Sequence, residues 1–307
     1  MFTDKPLIEL SKLRNPLFSI IILIFLIFCG TMLFQIIGIF FISIFFKINF
    51  FLNESNHFIF KLSNKMPTLI IQIFSAFGGF VVAPLLYLKK FEKNDIKIIH
   101  TNKNHFNIIF IVMIIALSFI ILNTILIKWN ISVSFPQFMK SFEEWAQYKE
   151  VNLEKLTIFL TNFESKFNIY FFICLIGLAV IPSIGEEIIF RYILQNLFHK
   201  ILKNSFLSIL FTAFIFSAIH IQFYSFFPRF LLGILFGYLY WWSRDILYPI
   251  IAHFFNNTFS LIFIFYIKED IIEKSIKVIS SSSFIIIFFF MINFFSIYLF
   301  RRIFLKN

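Results

Sequence analysis

The sequence has few charged residues for its length. Only 14% of the 307 residues are Asp, Glu, Lys or Arg, whereas 60% are hydrophobic. A typical globular protein is about 25% charged. A single soluble core cannot bury so much apolar surface, which argues against a water-soluble enzyme, a disordered chain and a nucleic-acid-binding protein. The mean hydropathy of +0.89 indicates a membrane protein instead.

Cysteine and acidic residues are also scarce. The two cysteines, Cys29 and Cys174, stand far apart in separate apolar runs, which is neither a disulfide framework nor a metal-ligand pair. An H-E-x-x-H sequence is missing, which excludes a conventional zincin site. The 16 acidic residues against 27 basic ones leave a net charge of +11. On a chain this apolar, anionic lipid and the positive-inside rule explain that charge better than nucleic acid does.

Eight apolar stretches approach the length of about 20 residues that a membrane-spanning helix needs. They cover residues 17–46, 68–88, 106–127, about 169–198, 206–221, 228–242, 246–267 and 284–300. The runs are continuous rather than alternating, as expected of helices and not of transmembrane strands. The sequence therefore predicts an all-α, polytopic transmembrane helix bundle of about eight spans.

Basic residues predict the orientation of this bundle. With eight spans, the following side chains fall on one side of the membrane: Lys5, Lys12, Arg14, Lys89, Lys90, Lys93, Lys97, Lys103, Arg191, Lys200, Lys203, Arg301, Arg302 and Lys306. Cytoplasmic loops carry the excess of Lys and Arg. We therefore expect both termini in the cytoplasm of a bacterium and the bundle in its inner (plasma) membrane.

Residues 128–167 form the one sizeable polar connection. Glutamates and lysines are interspersed there with Phe, Trp and Leu at roughly helical spacing, which predicts an amphipathic segment on the membrane or over the bundle. Structural cover and a substrate gate are the two interpretations. The chain then divides into N-terminal spans (1–127), the amphipathic segment (128–167), a polar-residue-bearing helical core (168–267) and a C-terminal span (268–307).

Ionisable residues inside spans cost about 2.5 to 3.5 kcal/mol each on insertion scales and usually mark function. They concentrate in residues 169–267, beginning with Glu186 and Glu187. On a helix Glu187 can pair with Arg191 four residues later, while Glu186 points about 100° away and is left to face a cavity. The alternative is that all three lie solvated at a helix end. Pro182 and Gly185 can kink the helix just before the pair.

Two later spans also carry polar side chains at four-residue spacing. Phe216 and His220 share a face near the end of the fifth span, and His253 and Asn257 share a face in the seventh. Either pair could be structural, as an interfacial histidine or as polar contact between helices. Taken with Glu186, two histidines could activate a water for attack on a carbonyl, or the second pair could stabilise the oxyanion.

These motifs together resemble the CPBP intramembrane protease family, which includes the CAAX prenyl endopeptidases and the bacterial Abi group. The family pattern is E-E-x-x-x-R, then F-x-x-x-H, then H-x-x-x-N on successive segments. Phe190 before Arg191 also matches its usual E-E-x-x-F-R form. The resemblance covers about a third of the chain, residues 169–267.

The resemblance implies an endopeptidase that hydrolyses a peptide bond of a membrane-associated protein or peptide. The implied catalytic residues are Glu186, Glu187, Arg191, His220, His253 and Asn257. Glu186 would be the general base for the water, Glu187 and Arg191 would orient it, and His220 would assist activation. The implied partners are membrane lipid and a membrane-associated substrate, with no nucleic acid.

The resemblance leaves open whether a metal takes part. His253 with Asn257 would bind either the oxyanion or a metal. If the enzyme depends on zinc, Glu186, His220 and His253 would supply three ligands with one open position. A metal-free glutamate mechanism is the alternative, because a Glu186 bound to metal is less available as a base.

Two other classes of function are compatible with the pattern. A non-catalytic scaffold or bacteriocin-immunity protein could retain the motif residues for packing. A transporter could also place charged residues within spans, but the first half of the chain has no matching broken-helix pair and no inverted repeat.

Overall fold

The computed structural model describes residues 14–46, 65–92, 105–131, 135–161, 169–266 and 282–305. Within those ranges the regular structure consists of nine continuous helices and one short turn of 3₁₀ helix at Gln137–Met139. The helices are α1 (Pro16–Phe45), α2 (Lys65–Glu92), α3 (His105–Ile131), α4 (Lys140–Thr161), α5 (Ile169–Leu202), α6 (Ser205–Ala218), α7 (Phe226–Ser243), α8 (Leu247–Tyr266) and α9 (Ser283–Leu305).

Most of these helices have the composition of membrane spans. By length and hydropathy, six of the described helices could cross a bilayer: α1, α2, α3, α5, α8 and α9. The apolar helix α6 is shorter, with 14 residues, and α7 has 18. The prediction of an all-α membrane bundle is therefore confirmed, and the predicted number of about eight spans is approximate. The one amphipathic helix, α4, stands before α5 as the sequence predicts.

Helix α5 lies at the centre of the bundle. Every residue from 185 to 197 is buried. In an apolar 18-residue stretch of α5, 44% of the stretch is buried inside the protein, whereas the share for such a stretch of α1 is 11%. A helix whose charged residues are surrounded by other helices can carry them across the apolar layer, because protein groups rather than lipid face them.

Wide π-type turns let α5 continue through its proline. Proline lacks an N–H group and its ring clashes with the carbonyl four residues earlier. One wide turn, Ile176–Val180, comes just before Pro182, and a second, Ile188–Leu194, follows the glutamate pair. Such turns loosen the regular ladder locally and are frequent at functional sites. The backbone consequently stays helical from Ile169 to Leu202 and carries both glutamates in its middle.

Glycines bring three helices into backbone contact. A Cβ atom added to Gly30 of α1 would lie 2.6 Å from the carbonyl oxygen of Gly78 on α2. A Cβ atom on Gly185 of α5 would lie 2.7 Å from the carbonyl carbon of Phe80, also on α2. Small residues at helix crossings allow this approach in membranes, where packing replaces the hydrophobic effect as the driving force. Helix α2 is thus held between α1 and the part of α5 that precedes the glutamate pair.

The predicted orientation and domain division stay predictions. Several basic residues behind the orientation lie outside the described residues: Lys5, Lys12, Lys93, Lys97, Lys103 and Lys306. The protein is an integral membrane protein by its apolar helices, and the host membrane and the side of each terminus remain expectations from the sequence.

Replacing Gly30 with alanine should loosen the α1–α2 contact. The added methyl group meets a backbone carbonyl that cannot rotate away, so we expect a loss of about 1–3 kcal/mol in the free energy of unfolding. Thermal unfolding of the purified protein in detergent micelles measures this loss as a lower Tm. Cys29→Ala is the matched control, because Cys29 is the exposed neighbour in the same helix. Equal Tm values for the two variants would contradict the close contact.

Candidate active site

Glu187 and Arg191 form an ion pair in the middle of α5. The Nε atom of Arg191 lies 3.1 Å from Oε2 of Glu187, and both side chains are 0% exposed. The pairing predicted from their four-residue spacing is confirmed. The Nε–H group does not meet hydrogen-bond geometry with that oxygen, so the attraction is that of opposite charges in contact. Removing either partner would leave the other charge buried and uncompensated.

Three aromatic rings surround the Arg191 guanidinium. Its Cζ atom lies 4.6 Å from the ring centre of Phe216 and 5.4 Å from that of Phe236. Phe190, the residue before the arginine, is 5.9 Å away by the same measure. Cations within about 6 Å of a ring centre are attracted by its π face. Nη2 also donates a hydrogen bond of 3.4 Å to the carbonyl of Gly233, so the cation has protein partners in place of water.

The G-x-x-x-G sequence of α7, from Gly233 to Gly237, lies where α7 packs closely on α6. A Cβ atom on Gly233 would lie 3.0 Å from the Cβ of Ala213 on α6, a close approach that small residues at helix crossings allow. Four residues on, the carbonyl of Gly237 accepts a 3.2 Å hydrogen bond from Nε2 of Gln195. The two glycine carbonyls therefore accept from two side chains of α5, Arg191 and Gln195.

His253 of α8 completes the charged cluster. Its Nδ1 atom is 2.8 Å from Oε1 of Glu187, and its ring is stacked on Phe236 with centroids 5.1 Å apart and planes at 25°. Because a carboxylate only accepts hydrogen bonds, Nδ1 carries the hydrogen in this contact. The bond fixes the tautomer and the orientation of the ring, and it directs Nε2 away from Glu187.

Glu186 faces that second nitrogen. Its Oε2 atom lies 3.9 Å from Nε2 of His253. This is too long for a direct hydrogen bond and is a separation that one bridging water can span. Glu186 is 9% exposed, whereas Glu187 is 0% exposed. The division predicted from the sequence, one carboxylate paired with Arg191 and the other directed elsewhere, agrees with this geometry.

His220 lies just beyond the end of α6, in the connection to α7. Its Nδ1 atom donates a 2.8 Å hydrogen bond to the carbonyl of Phe216. The Phe216 ring meets both histidines edge to face, at 5.4 Å from His220 and 6.1 Å from His253. Burial, followed by the positive charge of Arg229, lowers the pKa of His220 from 6.5 to about 4. Its ring is thus neutral at physiological pH, with Nε2 as an acceptor.

Asn257 has a different environment from the one the sequence suggests. Its Nδ2 atom donates a 3.3 Å hydrogen bond to the carbonyl of Leu178, inside the wide turn that precedes Pro182 of α5. Its side-chain oxygen accepts from Asn256. Asn257 therefore joins α8 to α5 one helical turn away from His253, and its part in binding an oxyanion stays a prediction.

The residues predicted to bind zinc do not gather into a metal site. Over the described ranges, no group of three or more His, Cys, Asp or Glu side chains is arranged to hold a metal ion. Nδ1 of His253 is engaged with Glu187 and Nδ1 of His220 with a backbone carbonyl, which leaves Nε2 of each ring available, as in metal-bound histidines. Zinc stays a prediction from the resemblance.

Two residues of α7 belong to the site although sequence reasoning gave them no catalytic part. Phe236 packs against both His253 and Arg191. In the sequence it is marked only by its position within G-x-x-x-G. The chain has 52 phenylalanines, so one more carries little information. The sequence is compatible with Arg229 closing the outer mouth, anchoring the helix or being a plain interfacial charge; in the structure it interacts electrostatically with Glu186. Both become visible only when α7 is packed on α5.

Residues 168–259 match the family model for the type II CAAX prenyl endopeptidases of the Rce1-like kind. No curated protein and no solved structure matches the chain. The Rce1-like segment covers α5 to α7 and most of α8, and it contains all six predicted catalytic residues. It agrees with the resemblance to the CPBP family.

The contribution of the buried Glu187–Arg191 pair to the free energy of unfolding can be tested without an activity assay. In Arg191→Met, Glu187 keeps its charge without its main partner, so we expect the free energy of unfolding to fall by about 3–5 kcal/mol. The double variant Glu187→Leu/Arg191→Met removes both charges and should recover much of that loss. Chemical or thermal unfolding in micelles compares the two. A double variant less stable than Arg191→Met would contradict this account of the pair.

Proposed function

We propose that this protein is an intramembrane endopeptidase that hydrolyses a peptide bond of a membrane-associated protein or peptide. The proposal rests on the position of the Glu186 carboxylate beside His253, whose other nitrogen is bound to Glu187. Glu187 is in turn paired with Arg191. A reactive group beside an imidazole that a third group orients is the arrangement that recurs in hydrolytic sites.

Glu186 acts as the base and then as the acid. Its carboxylate takes one proton from a water while the water oxygen attacks the scissile carbonyl carbon. The resulting tetrahedral intermediate collapses with cleavage of the C–N bond, and Glu186 returns the proton to the leaving amine. The products are a new carboxyl group and a new amino group, so no net proton is left in the site.

His220 assists in holding the water. A neutral ring with Nδ1–H bonded to the carbonyl of Phe216 presents Nε2 as an acceptor for a water hydrogen. Orientation of the attacking water is the role that this chemistry allows.

His253 and Asn257 stabilise the developing oxyanion. Nδ1 of His253 already donates to Glu187, so Nε2 is the ring nitrogen left for the oxyanion. Asn257 would donate from its second amide hydrogen. Donors aimed at the oxyanion are usually the largest electrostatic contribution to such reactions.

Replacing Glu186 with glutamine tests the assignment. The amide has nearly the same shape but cannot accept the water's proton, so we expect cleavage to fall by about 10²- to 10⁴-fold with Tm unchanged. The assay uses an acylated, fluorogenic peptide library presented in liposomes with the purified protein. Glu154→Gln is the matched control, because this glutamate is exposed on α4 and should leave turnover unaltered.

Two results would overturn the assignment. Full turnover in Glu186→Gln would remove this residue as the base. If the cellular function survives Glu186→Gln but is lost when the Glu187–Arg191 pair is broken, a non-catalytic scaffold or immunity protein would be the better interpretation, since only the structural pair would then matter.

The part played by zinc needs a separate measurement. Metal content of the purified protein by mass spectrometry, together with turnover before and after chelation, distinguishes the two mechanisms. In the metal-free glutamate mechanism that we propose, turnover persists in the chelated protein. Loss of turnover on chelation with recovery on adding zinc would instead support the three-ligand set of Glu186, His220 and His253.

A further inference from the structure

The amphipathic helix α4 touches the connection that carries His220. One carboxylate oxygen of Glu150, Oε1, accepts a hydrogen bond from Oγ of Ser225 and a longer one of 3.5 Å from Nε2 of Gln222. Both partners lie within the stretch 219–225 that joins α6 to α7. Glu150 therefore ties α4 to this connection at two points that follow His220.

The connection has a strained backbone that needs such support. Ile221, the residue after His220, has φ of 53°. For a β-branched residue this left-handed conformation is a genuine outlier, and it persists only where the surrounding structure determines it. The contacts of Glu150 to Gln222 and Ser225 begin at the very next residue. The side chain of Asn130 on α3 adds a hydrogen bond to the carbonyl of Tyr224.

Arg229 continues this network from the connection into the site. Its Nη2 donates a 2.7 Å hydrogen bond to Oε1 of Gln222, whose amide nitrogen contacts Glu150. Its positive charge is attracted by Glu150 and by Glu186, and it also acts on His220. Arg229 thus interacts both with the carboxylate of α4 and, through its charge, with the groups that would handle the water.

Glu150 and Arg229 attract each other across Gln222, and each keeps one buried polar atom. Oε2 of Glu150 and Nη1 of Arg229 are both buried, and neither has a hydrogen-bond partner among the described side chains and backbone. The charges of Glu150 and Arg229 attract each other, and both side chains contact Gln222. The two residues therefore link α4 to α7 through Gln222.

We propose that Glu150 and Arg229 are positioning residues of the active site. Glu150 holds the strained connection that places His220, and Arg229 keeps a positive charge beside Glu186 and His220. Helix α4 is on this account a part of the catalytic apparatus rather than a cover. The inference rests on the proposed function for its kinetic consequence, but its structural consequence can be measured without any substrate.

Hydrogen–deuterium exchange of the full-length protein in nanodiscs tests the structural part. In Glu150→Gln and in Arg229→Gln, we expect the amides of residues 219–226 to exchange at least about tenfold faster than in the wild type, because local opening becomes easier. The amides of α8 around His253 should not change. Glu154→Gln, one helical turn from Glu150 and exposed, is the control. Unchanged exchange over 219–226 in both site variants overturns the proposal, whatever the activity assay shows.

Kinetics test the effect on the site. With the liposome assay, Glu150→Gln and Arg229→Gln should each lower kcat by about 10- to 100-fold, with KM changed little, because neither residue is expected to hold the substrate. Arg229→Lys, which keeps the charge, should recover most of kcat. The double variant should be no worse than about the poorer single one, since both act through one network.

Failure of this proposal is distinguishable from failure of the proposed function. If the wild type cleaves and Glu186→Gln does not, but Arg229→Gln retains full kcat, the positioning role is wrong while the peptidase remains. If a changed KM with unchanged kcat is observed, Arg229 contacts substrate instead and the positioning role is again wrong. If the wild type cleaves nothing in the library, the peptidase proposal fails and the exchange data alone decide the role of Glu150.

Discussion

The rest of the candidate site depends on the ion pair between Glu187 and Arg191. Both side chains are fully buried, so each charge must be neutralised by the other. Glu187 balances Arg191 with one oxygen and orients His253 with the other. The cost of desolvating such groups is large, and it is met here by charge pairing, ring faces and a backbone carbonyl. Any rearrangement of the pair would release His253, so the orientation of the imidazole depends directly on an interaction that also holds α5 and α8 together.

The packing of the apolar helices surrounds the charged cluster with protein groups. Glycines at helix crossings allow α7 to approach α6 closely and α2 to pack on α5. The carbonyls of Gly233 and Gly237 on α7 accept hydrogen bonds from Arg191 and Gln195. Wide turns before Pro182 and after Glu187 keep the central helix continuous. Phenylalanine rings fill the remaining space around the cation, and one of them, Phe236, packs against both Arg191 and His253. Packing and electrostatics are therefore satisfied by the same residues.

The site also extends beyond the segment that matches the Rce1-like family. Glu150 comes from α4, outside residues 168–259, and contacts the connection that carries His220. An amphipathic helix on the rim of a membrane bundle can in this way influence groups in its interior without contributing one of the motif residues. The connection next to α4 contains the strained backbone of Ile221. A small displacement of this connection would move His220, the residue before Ile221.

The sequence by itself determined the class of the protein and the identity of its polar helices. Hydropathy decides that the chain is an all-α membrane protein, and four-residue spacing decides that Glu187 pairs with Arg191, because both follow from local composition and helical geometry. Only the tertiary structure decided that His253 is bonded to Glu187 and that Asn257 contacts Leu178. It also decided that Phe236 packs against Arg191 and His253, and that Glu150 contacts the connection that carries His220. These depend on the rotation and the relative heights of separate helices, and apolar sequences in lipid specify those only through contacts between helices.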